Sequence, residues 1–341
     1  MIFEDKRVLI TGGTGTLGRN LVRSIMTGRL GKPKQVIVFS RDEDKQYAME
    51  IEWKRLKVAT DDVFYYVDER LSFRIGDVRD YESVVRAVKE ADIIVHAAAL
   101  KQVPVSEYFP FESIKTNILG AQNIIRAILE NANSVETVLA ISTDKACKPV
   151  NTYGMCKAIQ ERLIVEANLL GSASTRFICV RYGNVAASRG SVIPLFQEQI
   201  RNGGPITLTS QDMTRFLLTL DTANDIIFEA IRAAEPGDIY VPDLPSVRIA
   251  DLAKVMVGER KIGIQNIGVR PGEKTHEILI SEEEIPRTAK RGDYYVIRPV
   301  LPKLRKVKIE EHILTRELSS ADRRMSVEEL KEFLKAGGYL R

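Results

Sequence analysis

The sequence predicts an α/β fold: a doubly wound domain with a parallel central sheet, followed by a smaller C-terminal lobe. Short apolar runs alternate with helical patterns through the first half of the chain. Continuous runs rich in β-branched residues suit strands that are buried on both faces of a parallel sheet, and the stretches between them are long enough for crossover helices. The predicted strands fall at residues 8–10, 36–39, 92–95, 138–141 and 177–180.

Composition limits the classes of protein to which the chain can belong. With 341 residues, 44% of them apolar, it can bury a sizeable core. Lys and Arg number 50 against 46 Asp and Glu, with no long run of one sign, so nucleic acid is a poor candidate partner. No stretch reaches the ~18 consecutive apolar residues of a membrane span. We therefore expect a cytoplasmic protein without a membrane partner.

The cysteines and histidines predict neither a disulfide framework nor a metal site. Three cysteines are an odd number, and they lack C-x-x-C spacing, so small buried thiols are the simplest interpretation. The histidines are scattered along the chain, and none is assigned a catalytic part. His96 follows an apolar strand, which favours a buried and hydrogen-bonded imidazole.

The chain changes character after Arg181. It becomes richer in Gly and Pro, with shorter elements, which predicts a second lobe that covers the edge of the sheet. A helical pattern at residues 222–232 is expected to return to the first lobe. We therefore predict a first domain at 1–182 with a return segment at about 214–238. The remainder of 183–341 is expected to form mainly the second lobe, interleaved with the first.

A glycine cluster directly follows the first predicted strand and precedes a helical pattern. Gly13, Gly15 and Gly18 satisfy G-x-G-x-x-G, the fingerprint of a Rossmann-like dinucleotide site. Without Cβ atoms the turn can be tight and the backbone can approach a pyrophosphate, whose charge the helix dipole stabilises. A plain glycine-rich turn is the alternative, but the position and order of the elements favour the dinucleotide site.

The end of the second predicted strand indicates which dinucleotide binds. Ser40 and Arg41 stand where an NAD site places an acid on the ribose 2′-hydroxyl, and they suit a 2′-phosphate instead. We therefore predict NADP over NAD, although the adjacent Asp42 is also within reach of the ribose. Asp77, after the third strand, is either an adenine contact or a helix N-cap. The small residues at 97–99 leave room for the ribose and nicotinamide.

A second group of polar residues follows the fifth strand. Thr143, Asp144 and Lys145 come at a strand end, and Tyr153 and Lys157 lie one helical turn apart shortly after. If this stretch opens a helix, both side chains project from one face and the ammonium can lower the pKa of the phenol. Tyr-x-x-x-Lys alone is ordinarily a solvated helix face, and Asp-Lys a surface ion pair. Their shared position at the carboxyl end of the sheet favours a catalytic site.

Taken together, the motifs resemble a known family. The glycine cluster, Thr-Asp-Lys at 143–145, Tyr153 and Lys157 are joined by further motifs at 96–101, 115–117, 181–184, 188–191, 213–216 and 270–274. The set resembles the extended short-chain dehydrogenase/reductases. Within them it is similar to the inverting UDP-N-acetylglucosamine 4,6-dehydratases, which open pseudaminic acid and related deoxyamino-sugar pathways. The match runs from about residue 6 to about residue 280. Residues 55–70 are longer than the family suggests, and the tail after about residue 300 matches only loosely.

The resemblance implies a lyase that converts UDP-N-acetylglucosamine to a UDP-2-acetamido-2,6-dideoxy-4-hexulose of L-arabino configuration. Tyr153, helped by Lys157, would take the C4 hydroxyl proton while hydride passes to NADP. Lys145, if partly neutral, would remove the C5 proton, and Asp144, if protonated, would donate to the departing C6 hydroxyl. Hydride then returns to C6, and C5 is protonated on the opposite face. Thr143 would bond the C4 oxygen or simply belong to the turn.

The resemblance also implies two sets of ligand contacts. The NADP contacts are Gly12, Gly13, Thr14, Gly15, Thr16, Leu17, Gly18, Ser40, Arg41, Asp42, Lys45, Asp77, Val78, Ala98, Lys101, Thr116, Asn117, Tyr153, Lys157 and Val185. The UDP-sugar contacts are Lys101, Asn184, Arg189, Gly190, Ser191, Val192, Ile193, Arg215, Arg270 and Glu273. Among these, the guanidinium groups of Arg215 and Arg270 would pair with the diphosphate.

Two other functions stay open at this point. A nucleotide-sugar C4 epimerase of the same fold would also oxidise C4, but it does not need Asp144 and Lys145 for elimination. A non-catalytic NADP-binding scaffold has no reason to keep Tyr153, Lys157, Asp144 and Lys145 together. The resemblance further implies a homo-oligomer, for example a hexamer.

Overall fold

The computed structural model describes residues 1–58, 70–131, 134–170, 175–186, 188, 190–305 and 313–340. The predicted substrate contact Arg189 and most of the predicted extension at 55–70 lie outside the described residues.

The strands of the described chain form one large sheet and three small ones. In chain order they are β1 (Arg7–Thr11), β2 (Gln35–Ser40), β3 (Leu71–Ile75), β4 (Ile93–His96), β5 (Thr137–Thr143), β6 (Arg176–Tyr182), β7 (Asn184–Val185), β8 (Ile206–Leu208), β9 (Thr214–Leu218), β10 (Ile239–Pro242), β11 (Ser246–Arg248), β12 (Ile264–Asn266), β13 (Ile278–Ile280), β14 (Thr288–Arg291), β15 (Tyr294–Ile297) and β16 (Leu318–Ser319).

Helices cover both faces of the large sheet and build the second lobe. In chain order they are α1 (Thr16–Met26), α2 (Glu43–Val58), α3 (Tyr81–Val88), α4 (Val103–Tyr108), α5 (Pro110–Ser113), α6 (Gly120–Asn131), α7 (Thr152–Leu170), α8 (Val192–Arg201), α9 (Leu220–Ala233), α10 (Ile249–Val257) and α11 (Val327–Ala336). A π-helical stretch, Ile114–Leu119, joins α5 to α6.

The large sheet has the strand order β14-β15-β10-β6-β5-β4-β1-β2-β3. Within this sheet, β10, β6, β5, β4, β1, β2 and β3 are parallel to one another. Strands β15 and β14 are added antiparallel at one edge. The order β3-β2-β1-β4-β5-β6 is that of a doubly wound dinucleotide-binding sheet. The predicted fold class is therefore confirmed.

The sequence of β1 shows why the sheet core forms. Leu9 pairs with Ile37 of β2 on one side and Ile94 of β4 on the other, and all three are almost fully buried. Burial on both faces explains the continuous apolar runs. The fourth strand begins one residue later than predicted, because the Asp92 carboxylate accepts hydrogen bonds from the backbone and guanidinium of Arg7.

The C-terminal lobe has its own hydrophobic core. Helices α8, α10 and α11 contribute Phe196, Leu252 and Leu334, each 1% exposed or less, to a cluster separate from the main core. Helix α11 begins with a capping box, in which Ser326 and Glu329 exchange side-chain to backbone hydrogen bonds.

The lobes are interleaved in sequence. Helix α9 packs on α1 of the first lobe, where Phe228 meets Phe3 edge to face with ring centroids 5.4 Å apart. Strands β10, β14 and β15 then extend the large sheet. The predicted division at residue 182, with its return segment at 214–238, stays a prediction.

None of the helices in the described part of the chain combines the length and apolar character needed to cross a membrane. The expected cytoplasmic location stays a prediction.

Candidate active site

A cavity of about 920 Å³ lies at the carboxyl ends of β1, β2, β4, β5 and β6. Residues that directly follow these strands form one wall, and residues 270–277 with parts of the second lobe form the other. Ligands of open α/β sheets bind at this edge, because the crossover connections leave a crevice there. The predicted strand-end motifs therefore meet in one place.

The glycine cluster forms a tight turn against the loop after β4. Gly12 has φ of +68°, and a Cβ atom built on it would lie 2.8 Å from the backbone nitrogen of Ala98. A Cβ on Gly18 would lie 2.6 Å from the Gly12 carbonyl oxygen. Gly15 is the N-cap of α1 and offers no side chain there. This glycine-built cradle at a helix N-terminus fits a dinucleotide pyrophosphate.

Two basic residues, Arg41 and Lys45, lie just after the end of β2 and line the cavity. Ser40 is buried, and its hydroxyl oxygen accepts a hydrogen bond from Thr14 Oγ1 over 3.1 Å. The Asp42 carboxylate is engaged by the backbone N–H and the ammonium of Lys45. Arg41 lies on the cavity wall with its side chain 57% exposed, 3.9 Å from Asp77. The Asp42 carboxylate is thus already paired with a cation.

A buried charge cluster follows β5. Lys145 Nζ lies 3.0 Å from Asp144 Oδ1, 3.0 Å from Glu277 Oε1 and 3.4 Å from Asn184 Oδ1. Thr143 donates to Asp144 Oδ1 over 3.0 Å. The Asp144 and Glu277 side chains are 0% and 2% exposed, which rules out a surface ion pair. The sequence motif therefore belongs to a buried cluster that includes a carboxylate from the second lobe.

The proton states of this cluster follow from its geometry. Burial raises the pKa of Asp144, and the neighbouring Glu277 carboxylate acts in the same direction. Burial alone would lower the pKa of Lys145, but its two carboxylate neighbours outweigh burial and raise it. Burial would raise the pKa of Glu277, yet Lys145 and Arg215 lower it. The two carboxylates thus favour the ammonium form of Lys145 in the protein without ligands. Its predicted role as the base stays a prediction.

Helix α7 places the predicted tyrosine and lysine on the cavity wall. The Asn151 side chain accepts a hydrogen bond from the Gly154 backbone over 2.7 Å and so supports the first turn. Burial raises the pKa of Tyr153 to about 12, while Lys145 and the Thr143 hydroxyl act to lower it. Burial lowers the pKa of Lys157 to about 8, and its ammonium donates to Gln160. Lys145 is thus one cation that lowers the pKa of Tyr153.

Several predicted substrate contacts lie on the opposite wall. Arg215 is 7% exposed, and its guanidinium donates to the carbonyl oxygens of Thr214 and Thr275. Glu273 Oε2 is buried and has no hydrogen-bond partner among the described residues. Further predicted contacts on the wall are Lys101, Asn184, Gly190, Ser191 and Arg270.

Some predicted site residues lie off the wall of this cavity. Asn117 is fully buried and bonds both backbone groups of Leu100, so it holds the loop after β4 in place. Ile193 belongs to the second hydrophobic core, against which Val192 packs. Gly13 packs against Val38. Asp144 is also off the wall; its Oδ2 has no hydrogen-bond partner in the described part of the chain. All other described members of the two predicted contact sets line the cavity.

Two alternatives from the sequence are settled by local geometry. The N-cap of α3 is Asp80, whose carboxylate accepts from the Glu82 backbone, so Asp77 is not the cap. His96 is buried as expected, and its Nδ1 lies 2.8 Å from Thr11 Oγ1. Burial lowers the pKa of His96 to about 3, so the ring is neutral.

Sequence reasoning missed Glu277, Gln102 and Asn151, which also line the cavity. Glu277 follows the Arg-Pro-Gly-Glu-Lys motif by only three residues, and its acidic side chain beside that motif was the available signal. Asn151 has a structural part as well, because its side-chain amide donates to the Gly272 carbonyl over 2.7 Å and joins α7 to the second lobe.

Comparison with known proteins agrees with this geometry. The polysaccharide biosynthesis protein family matches residues 8–299. The chain belongs to this family. It is 41% identical over 300 residues to an inverting UDP-N-acetylglucosamine 4,6-dehydratase of Campylobacter jejuni, covering 87% of this chain and 84% of that one. The resemblance inferred from the motifs and the predicted class of enzyme are thereby confirmed.

Other relatives carry different names. A protein of Rickettsia bellii named UDP-glucose 4-epimerase is 43% identical over 300 residues, covering 87% of this chain and 84% of its own. Among solved structures, that of Pen from Bacillus thuringiensis has 36% identity and a TM-score of 0.89, with both chains covered completely. Relatives of this chain are thus named both as 4,6-dehydratases and as 4-epimerases, the two reactions that the sequence left open.

Proposed function

We propose that the chain is an NADP-dependent, inverting UDP-N-acetylglucosamine 4,6-dehydratase of the pseudaminic acid type. Its product is a UDP-2-acetamido-2,6-dideoxy-4-hexulose of L-arabino configuration. The observation that carries the proposal is the buried cluster of Asp144, Lys145 and Glu277 beside Tyr153. A C4 epimerase needs only oxidation and reduction at C4, whereas loss of water across C5 and C6 needs an additional acid and base. Similarity to the Campylobacter dehydratase supports the same reaction.

The cofactor would lie along the first wall of the cavity. When bound, the nicotinamide takes hydride from C4 of the sugar and returns it to C6. The cradle at residues 12–18 would hold the pyrophosphate. Tyr153 and Lys157, which both face the cavity from α7, complete the predicted contacts at the other end of the site.

The charges at the end of β2 support NADP rather than NAD. Arg41 and Lys45 bring two cations to this part of the wall, and Lys45 already neutralises Asp42. A guanidinium binds phosphate oxygens through charge-assisted hydrogen bonds, whereas a ribose 2′-hydroxyl is best held by an unpaired acid. The 2′-phosphate of NADP therefore fits this wall better than the 2′-hydroxyl of NAD.

Tyr153 is the group proposed to take the C4 hydroxyl proton. Without ligands it is a phenol, because burial raises its pKa to about 12, so it must first release its own proton to solvent before it can act as the base. The Lys145 ammonium and the Thr143 hydroxyl lower that pKa, so they stabilise the phenolate that removes the proton. Lys145 is therefore proposed to assist Tyr153. The help from Lys157 that the resemblance implies stays a prediction.

The second wall is proposed to hold the UDP-sugar. Arg215 and Arg270 face the cavity as candidate diphosphate ligands, and Glu273 presents a buried, unpartnered oxygen within the described structure that suits a ribose hydroxyl. Asn184 accepts from Lys145 and so stands between the sugar site and the charge cluster. Contacts from Arg189, Val192 and Ile193 stay predictions from the sequence.

We also propose that the protein is a homo-oligomer, as the resemblance implies. Helices α4, α5 and α7 contact one another and expose neighbouring apolar side chains. Phe109 and Phe111 are each 61% exposed, and Tyr108 is 83% exposed. A second copy of the chain would cover such a surface. Light scattering during gel filtration measures the assembly directly, and a monomeric mass would contradict the proposal.

The test of the reaction is incubation with UDP-N-acetylglucosamine in deuterated water, with the product identified by NMR. We expect a 4-keto-6-deoxy sugar that carries deuterium at C5 with inverted stereochemistry, and no net release of reduced cofactor. A product with the galacto configuration and an intact C6 hydroxyl would instead establish the epimerase. Unchanged substrate would leave only a binding role and refute both reactions.

A further inference from the structure

Asn151 lies between the helix that carries Tyr153 and the loop at residues 270–274, and its side-chain amide bonds to both. The residue directly precedes α7 and is 4% exposed. Its Oδ1 accepts from the Gly154 backbone N–H over 2.7 Å, and its Nδ2 donates to the Gly272 carbonyl oxygen over 2.7 Å. One buried side chain therefore bridges the two walls of the cavity.

On the helix side, the bridge reaches the first turn of α7. Tyr153 belongs to that turn, two residues after Asn151. A Cβ atom built on Gly154 would lie 2.2 Å from the Lys145 carbonyl oxygen, so the turn lies directly against the backbone that follows β5. The position of Asn151 therefore helps to fix where the Tyr153 side chain enters the cavity.

On the loop side, the bridge lies between two candidate UDP contacts. Arg270 and Glu273 both line the cavity, and Gly272 stands between them in the chain. Gly272 has φ of +78°, and a Cβ atom built on it would lie 2.9 Å from the Asn151 Cβ atom. The loop therefore approaches Asn151 as closely as a glycine allows, so a ligand that orders the loop acts on Asn151 as well.

Further hydrogen bonds hold the end of the same loop. Lys274 Nζ donates to the Cys147 carbonyl oxygen over 2.6 Å. The next residue, Thr275, accepts at its carbonyl oxygen from the Thr214 backbone N–H over 3.0 Å. Loss of the Asn151 donor should therefore separate the loop from α7 without detaching the loop from the protein.

We propose that Asn151 is a positioning residue that couples binding of the uridine diphosphate group at residues 270–274 to the first turn of α7, and so to Tyr153. This inference rests on the proposed UDP-sugar site. Binding energy from a part of the substrate remote from the reacting carbons can be used to orient the groups that react. Through Asn151, the nucleotide part of the substrate would order the helix that acts on the sugar.

The variant that tests the coupling is Asn151→Ser. It keeps a side-chain oxygen that can cap the first turn of α7, because Ser is a preferred N-cap residue. It removes the donor to Gly272 and adds no charge near the proposed diphosphate site. Asn202→Ser is the matched control, since Asn202 is an exposed residue that follows α8 and does not line the cavity.

The first measurement is backbone hydrogen exchange, followed by mass spectrometry, in protein saturated with NADP. Each protein is compared with and without saturating UDP, so a difference in affinity does not affect the result. In wild type and Asn202→Ser, we expect UDP to slow exchange at residues 270–274 and, by about fivefold, at residues 152–156. In Asn151→Ser, the slowing at 270–274 should persist, and that at 152–156 should fall below about twofold.

The second measurement is turnover of UDP-N-acetylglucosamine. At saturating substrate, kcat of Asn151→Ser should fall by about fivefold or more, because the nucleotide no longer orders the helix. The dissociation constant for NADP and the melting temperature should stay close to those of wild type. A loss of NADP affinity and of melting temperature that accompanies the loss of kcat would show a merely structural role and overturn the proposal.

The exchange data separate the coupling from the site on which it rests. If UDP protects residues 270–274 but not 152–156 of the wild type, or protects 152–156 equally in Asn151→Ser, the coupling is wrong and the UDP site stands. If UDP protects neither segment of the wild type, the proposed UDP-sugar site is refuted.

Asn151→Asp keeps the test decisive if Asn151→Ser does not fold. Asp is among the strongest N-cap residues and likewise lacks the donor to Gly272. Its exchange pattern at saturating UDP should match that expected for Asn151→Ser. Wild-type protection of residues 152–156 in this variant would overturn the coupling.

Discussion

Arg181 and Glu161 form two parallel hydrogen bonds inside the protein, Nε to Oε1 over 2.9 Å and Nη2 to Oε2 over 2.7 Å. Their pair joins β6 to α7, the helix that carries Tyr153. The same guanidinium contacts Glu284 over 2.7 Å, next to the lobe junction. Arg181 is the first residue of the Arg-Tyr-Gly-Asn motif at 181–184, so this part of the family resemblance belongs to a buried network that supports the helix carrying Tyr153.

Glu161→Gln should destabilise the protein by about 3–5 kcal/mol, because it removes one charge from a buried, paired network. The free energy of unfolding in urea measures the effect. Glu90→Gln is the control, since Glu90 pairs with Arg74 at the surface and should contribute less than about 1 kcal/mol. Similar losses in the two variants would show that the buried network is not special.

Glu284 should make stability sensitive to acid. Burial alone would raise its pKa, but Arg181 outweighs burial and lowers it to about 2. A lowered pKa stabilises the fold above the unfolded value of about 4.3, and that stability is lost as pH falls toward 2. The unfolding free energies of wild type and Glu284→Gln should therefore converge by roughly 1–3 kcal/mol between about pH 5 and pH 2.5. A constant difference would contradict the predicted shift.

The buried ammonium of Lys157 should lower the free energy of unfolding when no ligand is bound. Burial lowers its pKa to about 8, so the charged form is disfavoured in the folded state. With the pKa below the unfolded value of about 10.4, the penalty is complete at pH values below 8 and is relieved as pH rises from 8 toward 10.4. Lys157→Met should therefore unfold at higher temperature than wild type near neutral pH, with a gap that narrows above about pH 8.

The matched control for Lys157→Met is Lys331→Met, at an exposed position on α11. It should leave both the melting temperature and its pH dependence unchanged. A pH-independent gap for Lys157→Met would mean that the side chain is uncharged or solvated in the folded protein.

Arg41→Ala should weaken NADP binding by about tenfold or more and leave NAD binding nearly unchanged, because the lost contact is a charge-assisted hydrogen bond to phosphate. Calorimetric dissociation constants for both cofactors measure the effect. Arg74→Ala, which breaks a surface pair away from the cavity, is the control. Tighter binding of NAD than of NADP by wild type would overturn the cofactor assignment.

Lys145→Ala should abolish dehydration, with a loss of about 10²–10⁴-fold, while cofactor binding is kept. The variant removes the ammonium that lies between two carboxylates and that lowers the pKa of Tyr153. Lys148→Ala, at a surface lysine paired with Glu317, should keep full turnover. Retained dehydration in Lys145→Ala would reject any catalytic part for this residue.

The fold and the nucleotide cradle were readable from the sequence because they depend on local patterns. Burial on both faces requires apolar runs such as that around Leu9, and the turn before α1 requires glycines because a Cβ on Gly18 would strike the Gly12 carbonyl oxygen. Tyr153 and Lys157 share a face because they lie four residues, about one helical turn, apart on α7. Each of these features is set by neighbours within a few residues along the chain or by the period of a single element.

Other features depended on which distant residues meet. The pKa of Lys145 is raised by its chain neighbour Asp144 and, in addition, by Glu277 from the other lobe, which comes within 3.0 Å of it. No local pattern around residues 143–145 contains the contact with Glu277. The side-chain amide of Asn117 is hydrogen-bonded to the backbone of Leu100 and does not line the cavity. The sequence by itself determined the sheet, its strand-end site and the family. The tertiary structure alone decided which buried charges meet there, because the residues that carry them are distant in the chain.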